Sequence, residues 1–137
     1  MDKKKLEEKY IMMQLLDAQI RELEKEMSAL ETKNTELIKL KDSLDSLGKV
    51  KKGAKSYSPL GLGIYTASNI TNTEKVLVNV GNNIIVEKDI ANAKELVDNQ
   101  LKQVEDITLK LAQNVQTLAA RAHELQHEIQ DLSGVEK

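Results

Sequence analysis

The chain contains no cysteine, no tryptophan and no phenylalanine, and it has a single proline. Each absence excludes something. Without cysteine there can be no disulfide and no thiolate metal site, which fits a reducing compartment. Without large aromatics, and with only three tyrosines, a compact core would have to be built from Leu, Ile, Val and Met alone. Such a composition, with charged residues at 31%, suits a long thin seam better than a ball. A seam buries little per residue, so the remaining burial is expected from partner subunits. No segment reaches the roughly 18–20 apolar residues that cross a bilayer. The start, MDKKKLEEKY, is charged and carries no signal-like apolar run. The expectation is a soluble, cytoplasmic protein of one domain with no membrane partner.

Charge of one sign is not in excess overall, at −2, but it is unevenly placed. Residues 1–47 hold 9 basic and 11 acidic side chains, residues 48–88 hold 6 and 2, and residues 89–137 hold 5 and 9. A basic middle between two acidic flanks is not the profile of a nucleic-acid binder. The lysines of the 48–55 linker (Lys49, Lys51, Lys52 and Lys55) have neither aromatic nor arginine company. They read as a solvated connection that keeps a neighbouring strand edge from aggregating.

What the chain does have is two heptad-patterned arms. In residues 1–47 apolar side chains fall at Leu6, Tyr10, Met13, Leu16, Ile20, Leu23, Met27, Leu30, Leu37, Leu40, Leu44 and Leu47, with Asn34 in the gap. Steps of three and four alternate, as in a coiled-coil seam. Two successive steps of three, at Tyr10–Met13–Leu16 and Asn34–Leu37–Leu40, predict local overwinding. Gly48 is the expected stop of this helix. In residues 89–137 the seam runs Val97, Leu101, Val104, Ile107, Leu111, Val115, Leu118, Ala122, Leu125, Ile129, Leu132. Asp89 is the expected N-cap and Gly134 the expected end. The arms match in length, at roughly 65 Å each. They are therefore expected to pack antiparallel, with positions summing to about 137 opposite one another, Leu6 facing Leu132 and Met13 facing Leu125.

Residues 56–88 break the pattern. Here Val, Ile, Thr and Tyr alternate with polar residues, and glycine and asparagine supply turns. Four strands are expected, near 56–60, 64–70, 75–80 and 84–88, forming two β-hairpins. Gly61-Leu62-Gly63 and Gly81-Asn82-Asn83 are the turns, since Gly and Asn tolerate positive φ. Pro59 confines its strand to an edge or a bulge. Strands three and four are apolar on both faces, and an isolated hairpin is marginal in water. The apolar residues of this region (Leu60, Ile64, Tyr65, Ile70, Val76, Val78, Val80, Ile84, Ile85 and Val86) are therefore expected to meet strands of other subunits, in a sheet or barrel covered on both sides.

The first arm has one further peculiarity. Residues 10–16, YIMMQLL, are apolar nearly all round the helix. Tyr10, Met13 and Leu16 can serve the seam, but Ile11, Met12 and Leu15 have nothing to cover them. Such a patch, rich in adaptable methionine, reads as an interaction surface. His123 and His127 share a helix face at i, i+4, but they lie off the seam with no third ligand implied, so no metal site and no cofactor are expected. No phosphate-binding loop or nucleophile elbow is present, and no catalytic residue is identified. The expectation is not an enzyme.

Two motifs carry a family resemblance. Pro59-Leu60-Gly61-Leu62-Gly63-Ile64-Tyr65 is similar to the Val-Pro-Leu-Gly-x-Gly-Ser-Phe turn of prefoldin, and Val80-Gly81-Asn82-Asn83-Ile84-Ile85-Val86-Glu87-Lys88 resembles its Val-Gly-x-Gly-x-x-Val-Glu-Lys segment. The pattern of arms and hairpins is similar along nearly the whole chain, and two hairpins rather than one resemble the α-type subunit, of the archaeal kind. Ser58, Ile64, Tyr65 and Asn83 depart from the family residues. They lie at turns and at an assembly surface, so partner choice is what they affect.

The resemblance implies a mainly α fold with a small β component: a long antiparallel two-helix coiled-coil hairpin bearing two β-hairpins at its closed end, whose strands form a β-barrel platform on oligomerisation. It implies an ATP-independent chaperone in which two α-type and four β-type subunits assemble, grip unfolded clients at the coiled-coil tips and pass them to a group II chaperonin. The client grip would then comprise Leu6, Tyr10, Ile11, Met12, Met13 and Leu15, with Leu125, Ile129 and Leu132 opposite. The alternative is a structural coiled-coil filament or scaffold built through the same hairpins. A pure spacer has no need of the apolar excess at residues 10–16.

Overall fold

A computed structural model of the chain describes residues 2–135. The elements follow the order α1 (Asp2–Lys49), β1 (Lys55–Gly61), β2 (Ile64–Asn69), β3 (Lys75–Asn79), β4 (Ile85–Asp89) and α2 (Ile90–Val135). The fold is therefore two long helices around two antiparallel hairpins. The chain divides into two compact units. One comprises residues 1–34 with 103–137, and the other residues 35–102.

The first unit is a two-helix seam. Val104, Leu111, Leu125 and Ile129 of α2 are buried, and Leu125 is fully enclosed at 0% exposure. From α1, Leu6, Met13, Leu16, Ile20, Leu23, Met27 and Leu30 are half-buried. Lys9 Nζ donates to Glu128 Oε2 across the seam at 2.5 Å. These two positions sum to 137, which is the expected antiparallel register.

The burial pattern corrects the sequence reading of the seam in three places. Tyr10 and Leu40 are exposed, while Lys9 and Lys41 are half-buried. The seam of α1 therefore runs Leu6, Lys9, Met13, Leu16, and later Asn34, Leu37, Lys41, Leu44. Steps of three and four alternate without a break, and no overwound stretch is needed. Asn34 is half-buried inside a continuous helix, so it is a seam residue rather than a frayed one. In α2, Ile107 is exposed and Thr108 takes its seam place, its hydroxyl donating to the Val104 carbonyl at 2.7 Å. A lysine can occupy such a position because its methylene stem packs while its ammonium reaches a carboxylate. Threonine can because the helix backbone satisfies its hydroxyl.

The second unit holds the helix ends and the hairpins. Leu37, Leu44, Ile90, Ala93 and Val97 are buried. Lys41 pairs with Asp98 at 2.7 Å and Lys94 pairs with Asp45. Gly48 lies inside the last turn of α1, and the helix runs on to Lys49. The positive φ of this connection belongs instead to Gly53, at +86°, in a turn after the helix. Gly53 N–H donates to the Ile70 carbonyl at 2.6 Å, and Ile70 N–H returns to the Ala54 carbonyl at 2.9 Å. The linker is thus tied to the end of β2. At the other helix, Asp89 Oδ1 accepts from Asn92 N–H at 3.1 Å, the expected N-cap. Ile90 N–H donates to the Glu74 carbonyl at 3.0 Å, which anchors the start of β3 to the start of α2. Gly134 does not end α2, which continues to Val135. The added cost of a glycine within a last, exposed turn is only about 1 kcal/mol.

The strands form two separate two-stranded sheets, β1–β2 and β3–β4. In the first, Tyr57 pairs with Ala67 and Pro59 with Tyr65, and the register shifts between Pro59 and Gly61. Pro59 therefore sits beside an irregularity on a strand with one free edge, where its missing N–H does least harm. In the second, Val78 pairs with Val86 and Leu77 with Glu87.

Candidate functional site

Two apolar surfaces stand out, one on each unit. The hairpin surface is made by chain reversal. Gly61, Leu62 and Gly63 all have positive φ, so the β1–β2 turn puts a leucine in the left-handed region at the tip. Leu62 is exposed at 104%. An L-residue there costs roughly 1–2 kcal/mol, and nothing within the chain covers its side chain in return. The β3–β4 turn places Gly81, Asn82 and Asn83 at positive φ. It is closed by Val80 N–H to the Ile84 carbonyl at 2.9 Å and by Gly81 N–H to Asn79 Oδ1 at 2.9 Å. Asn72 Oδ1 accepts from both Glu74 and Lys75 N–H, which sets the turn before β3.

Alternation then sorts the side chains. Val76, Val78, Val86 and Lys88 share the half-buried face of β3–β4, while Leu77 and Ile85 project from the other. Of the residues expected to meet partner strands, Leu60, Ile64, Tyr65, Val80, Ile84 and Ile85 are exposed. Ile70, Val76, Val78 and Val86 are half-buried. Val80 falls outside β3, in the turn. Tyr57 and Leu77, each 73% exposed, belong to the same surface together with Leu62. Sequence reading placed them in the strands and turn without assigning them a role. The period-2 pattern of β1 and β3 could have marked Tyr57 and Leu77, since an apolar residue on the face opposite the half-buried one needs a cover of its own. Each strand keeps one edge unpaired among the described residues, a ready template for another chain.

The second surface lies on the first unit. Tyr10, Ile11, Met12 and Leu15 are exposed, Leu15 at 60%. Met13, Leu6 and Leu132 are half-buried, and Leu125 and Ile129 are enclosed. The structure therefore brings together only part of the expected grip. The first four offer themselves directly, while the buried pair would have to be uncovered. A groove of about 590 Å³ on one face is lined by Tyr10, Met13, Ile20, Ala119, Ala122 and Ile129 with His123 and two glutamines. Another, of about 540 Å³, is lined by Lys5, Glu8, Lys9, Met12, Glu128, Asp131 and Leu132. The second is the charged face. There Glu128 also lies 3.8 Å from Arg121 Nη1. The hydrogen bond from Lys9 holds the Glu128 carboxyl below the usual glutamate range. In the other unit the hydrogen bond from Lys94 does the same for Asp45, and the bond to Asp98 raises Lys41.

No group of three or more His, Cys, Asp or Glu among the described residues could hold a metal, and no described helix is long and apolar enough to cross a membrane. The arrangement is that of an assembly subunit: hairpins with open apolar faces on one unit, and a seam with an uncovered apolar patch on the other.

The family model for prefoldin subunits matches residues 16–134. The chain belongs to the prefoldin family and is a chaperone subunit. It is 25% identical over 126 residues to prefoldin subunit alpha of Archaeoglobus fulgidus, covering 92% of each chain. It is 30% identical over 96 residues to that of Methanobrevibacter smithii, covering 70% of this chain and 65% of the relative. Among solved structures it resembles filamentous PFD from Methanocaldococcus jannaschii, with a TM-score of 0.76, 26% identity, and coverage of 84% of this chain and 95% of that one.

Proposed function

We propose that the chain is the α-type subunit of a hetero-oligomeric, ATP-independent chaperone, two copies joining four smaller β-type subunits through the hairpins. Unfolded polypeptides are held at the patch of Tyr10, Ile11, Met12 and Leu15, in the cytoplasm, and are passed to a group II chaperonin. The observation that carries the reading is the pairing of two uncovered apolar surfaces of different kinds. The hairpins present strand edges and flat apolar faces, which suit a fixed partner chain. The helix patch presents Met, Ile, Leu and Tyr around the outer side of α1, which suits variable apolar partners. Opening of the adjoining seam would add Met13, Leu125, Ile129 and Leu132 to the grip.

Native mass spectrometry of the chain recovered from its own cytosol tests the assembly. A hexamer with two copies of this chain and four of a smaller coiled-coil protein is expected. Suppression of client aggregation by the Ile11→Ser, Met12→Ser variant tests the grip, and undiminished suppression would remove the patch from the proposal. A second reading, a filament of this chain alone, is favoured by the filamentous assembly of the Methanocaldococcus relative. An open-ended series of masses in the same experiment would establish it in place of the hexamer.

A further inference from the structure

The first unit also holds two imidazoles that neither the seam nor the apolar patch uses. His123 and His127 lie one turn apart on the exposed side of α2, with ring centroids 4.7 Å apart and ring planes perpendicular. Neither ring is hydrogen-bonded within the described residues. Beside them lie Gln126 and Gln130, also one turn apart, and the four side chains together line a shallow cavity of about 160 Å³. Every lining side chain carries a lone pair, and none is apolar, Lys or Arg.

We infer that His123 and His127, assisted by the amide oxygens of Gln126 and Gln130, form a site for one divalent transition-metal ion of the zinc, nickel or copper type. Borderline ions of this group favour imidazole nitrogen, whereas magnesium and calcium take oxygen. Two histidines four residues apart on a helix are a known bidentate arrangement for zinc. An ion about 2.0–2.1 Å from one nitrogen of each ring, at an angle near 90–110°, separates the ring centroids by about 4.5–5 Å. The spacing found, 4.7 Å, lies in that interval. The field also favours a cation, because residues 1–34 and 103–137 carry 10 basic against 14 acidic side chains. Arg121, the nearest cationic residue along α2, is occupied by Glu124 and Glu128. Glutamine oxygens complete what two histidines alone leave open. Sequence reading discounted the site for want of a third ligand, and the amides were overlooked because they are weak donors on their own. A bound ion closes one turn of α2 and stabilises the folded arm that holds it. His123 also lines the groove of Tyr10 and Met13, so the ion sits at the margin of that groove.

Zinc titration of the full-length chain, free of any polyhistidine tag and read against a chromophoric chelator, tests the site. One saturable equivalent per chain is expected. His123→Ala and His127→Ala should each weaken it at least about tenfold, a full decade in Kd. The joint change of Gln126→Ala and Gln130→Ala should weaken it severalfold, and Glu124→Gln should leave it unchanged. Zinc should raise the melting temperature of the parent chain and not that of His127→Ala. All these positions are solvent-facing on a helix, where alanine is well tolerated. The inference is overturned if no saturable equivalent is found, if His127→Ala binds like the parent, or if Glu124→Gln abolishes binding and so assigns the ion to carboxylates.

Discussion

The two units of this chain use the same small set of apolar residues in opposite ways. Residues 1–34 with 103–137 hide most of them, because steps of three and four bring Leu, Ile, Val and Met onto one stripe of each helix. Leu125, Ile129, Val104 and Leu111 are buried there. Residues 35–102 display them, because a two-stranded sheet has two faces and this chain covers neither fully. Tyr57, Leu60, Leu62, Ile64, Tyr65, Leu77, Ile84 and Ile85 all remain largely exposed. A helix pair completes its own interface, whereas a hairpin requires another layer. The hairpin unit therefore leaves apolar faces that nothing in the chain covers, whereas the arm unit is largely self-sufficient except at Tyr10–Leu15.

The strongest way to break this contrast is to charge the hairpins. Tyr65→Asp with Ile85→Asp should dissolve the assembly, weakening association by more than about a thousandfold, since each charge buried at an interface costs several kcal/mol. Size-exclusion chromatography with light scattering reads the result, and an oligomer of unchanged mass would refute the assignment of this surface. Next in size is the seam. Leu125→Ala should cost about 2–5 kcal/mol, seen as a lower melting temperature in circular dichroism. Leu15→Ala removes the same atoms from an exposed site and should cost less than about 0.5 kcal/mol. If the two variants melt alike, the arm is not packed as described.

Ile11→Ser with Met12→Ser sharpens the contrast from the other side. It should leave melting and assembly intact while client capture falls severalfold, measured by light scattering of an aggregating client. The smallest effect belongs to the ion pairs. Glu128 and Asp45 have folded pKa values below their unfolded ones. Their contribution is therefore present at neutral pH and is lost as pH falls through the carboxylate range. Lys41 lies on the raised side, so its share is lost only in strong alkali. Lys9→Met should change stability at neutral pH only slightly, as for other solvent-screened pairs. It should also flatten the acid limb of the melting temperature, since the hydrogen bond that lowers Glu128 is gone. An acid limb as steep as the parent's would show that Lys9 does not hold Glu128.

Much of the fold was legible because periodicity is local. The two arms, the Asp89 cap, the positive-φ turns at Gly61–Gly63 and Gly81–Asn83, and the antiparallel sum near 137 all follow from spacing or turn chemistry. Lys9, Lys41 and Thr108 were missed because seam positions were assigned by hydrophobicity, and Tyr10, Leu40 and Ile107 were drawn in to replace them. The two successive steps of three were themselves the clue, since restoring the alternation points to Lys9 and Lys41. The expected grip draws on the same stripe. Position on the stripe identifies Leu125 and Ile129, but only packing reveals that they are enclosed.

The sequence by itself determined the elements and their pairing, because helix period, strand alternation and turn residues act over a few positions. Only the tertiary structure decided which side chains the seam swallows and which it leaves in water. That depends on whether a carboxylate waits across the interface for a lysine, as Glu128 does for Lys9 and Asp98 for Lys41. The partner of a charged seam residue lies more than fifty residues away in the chain, and no local pattern encodes it.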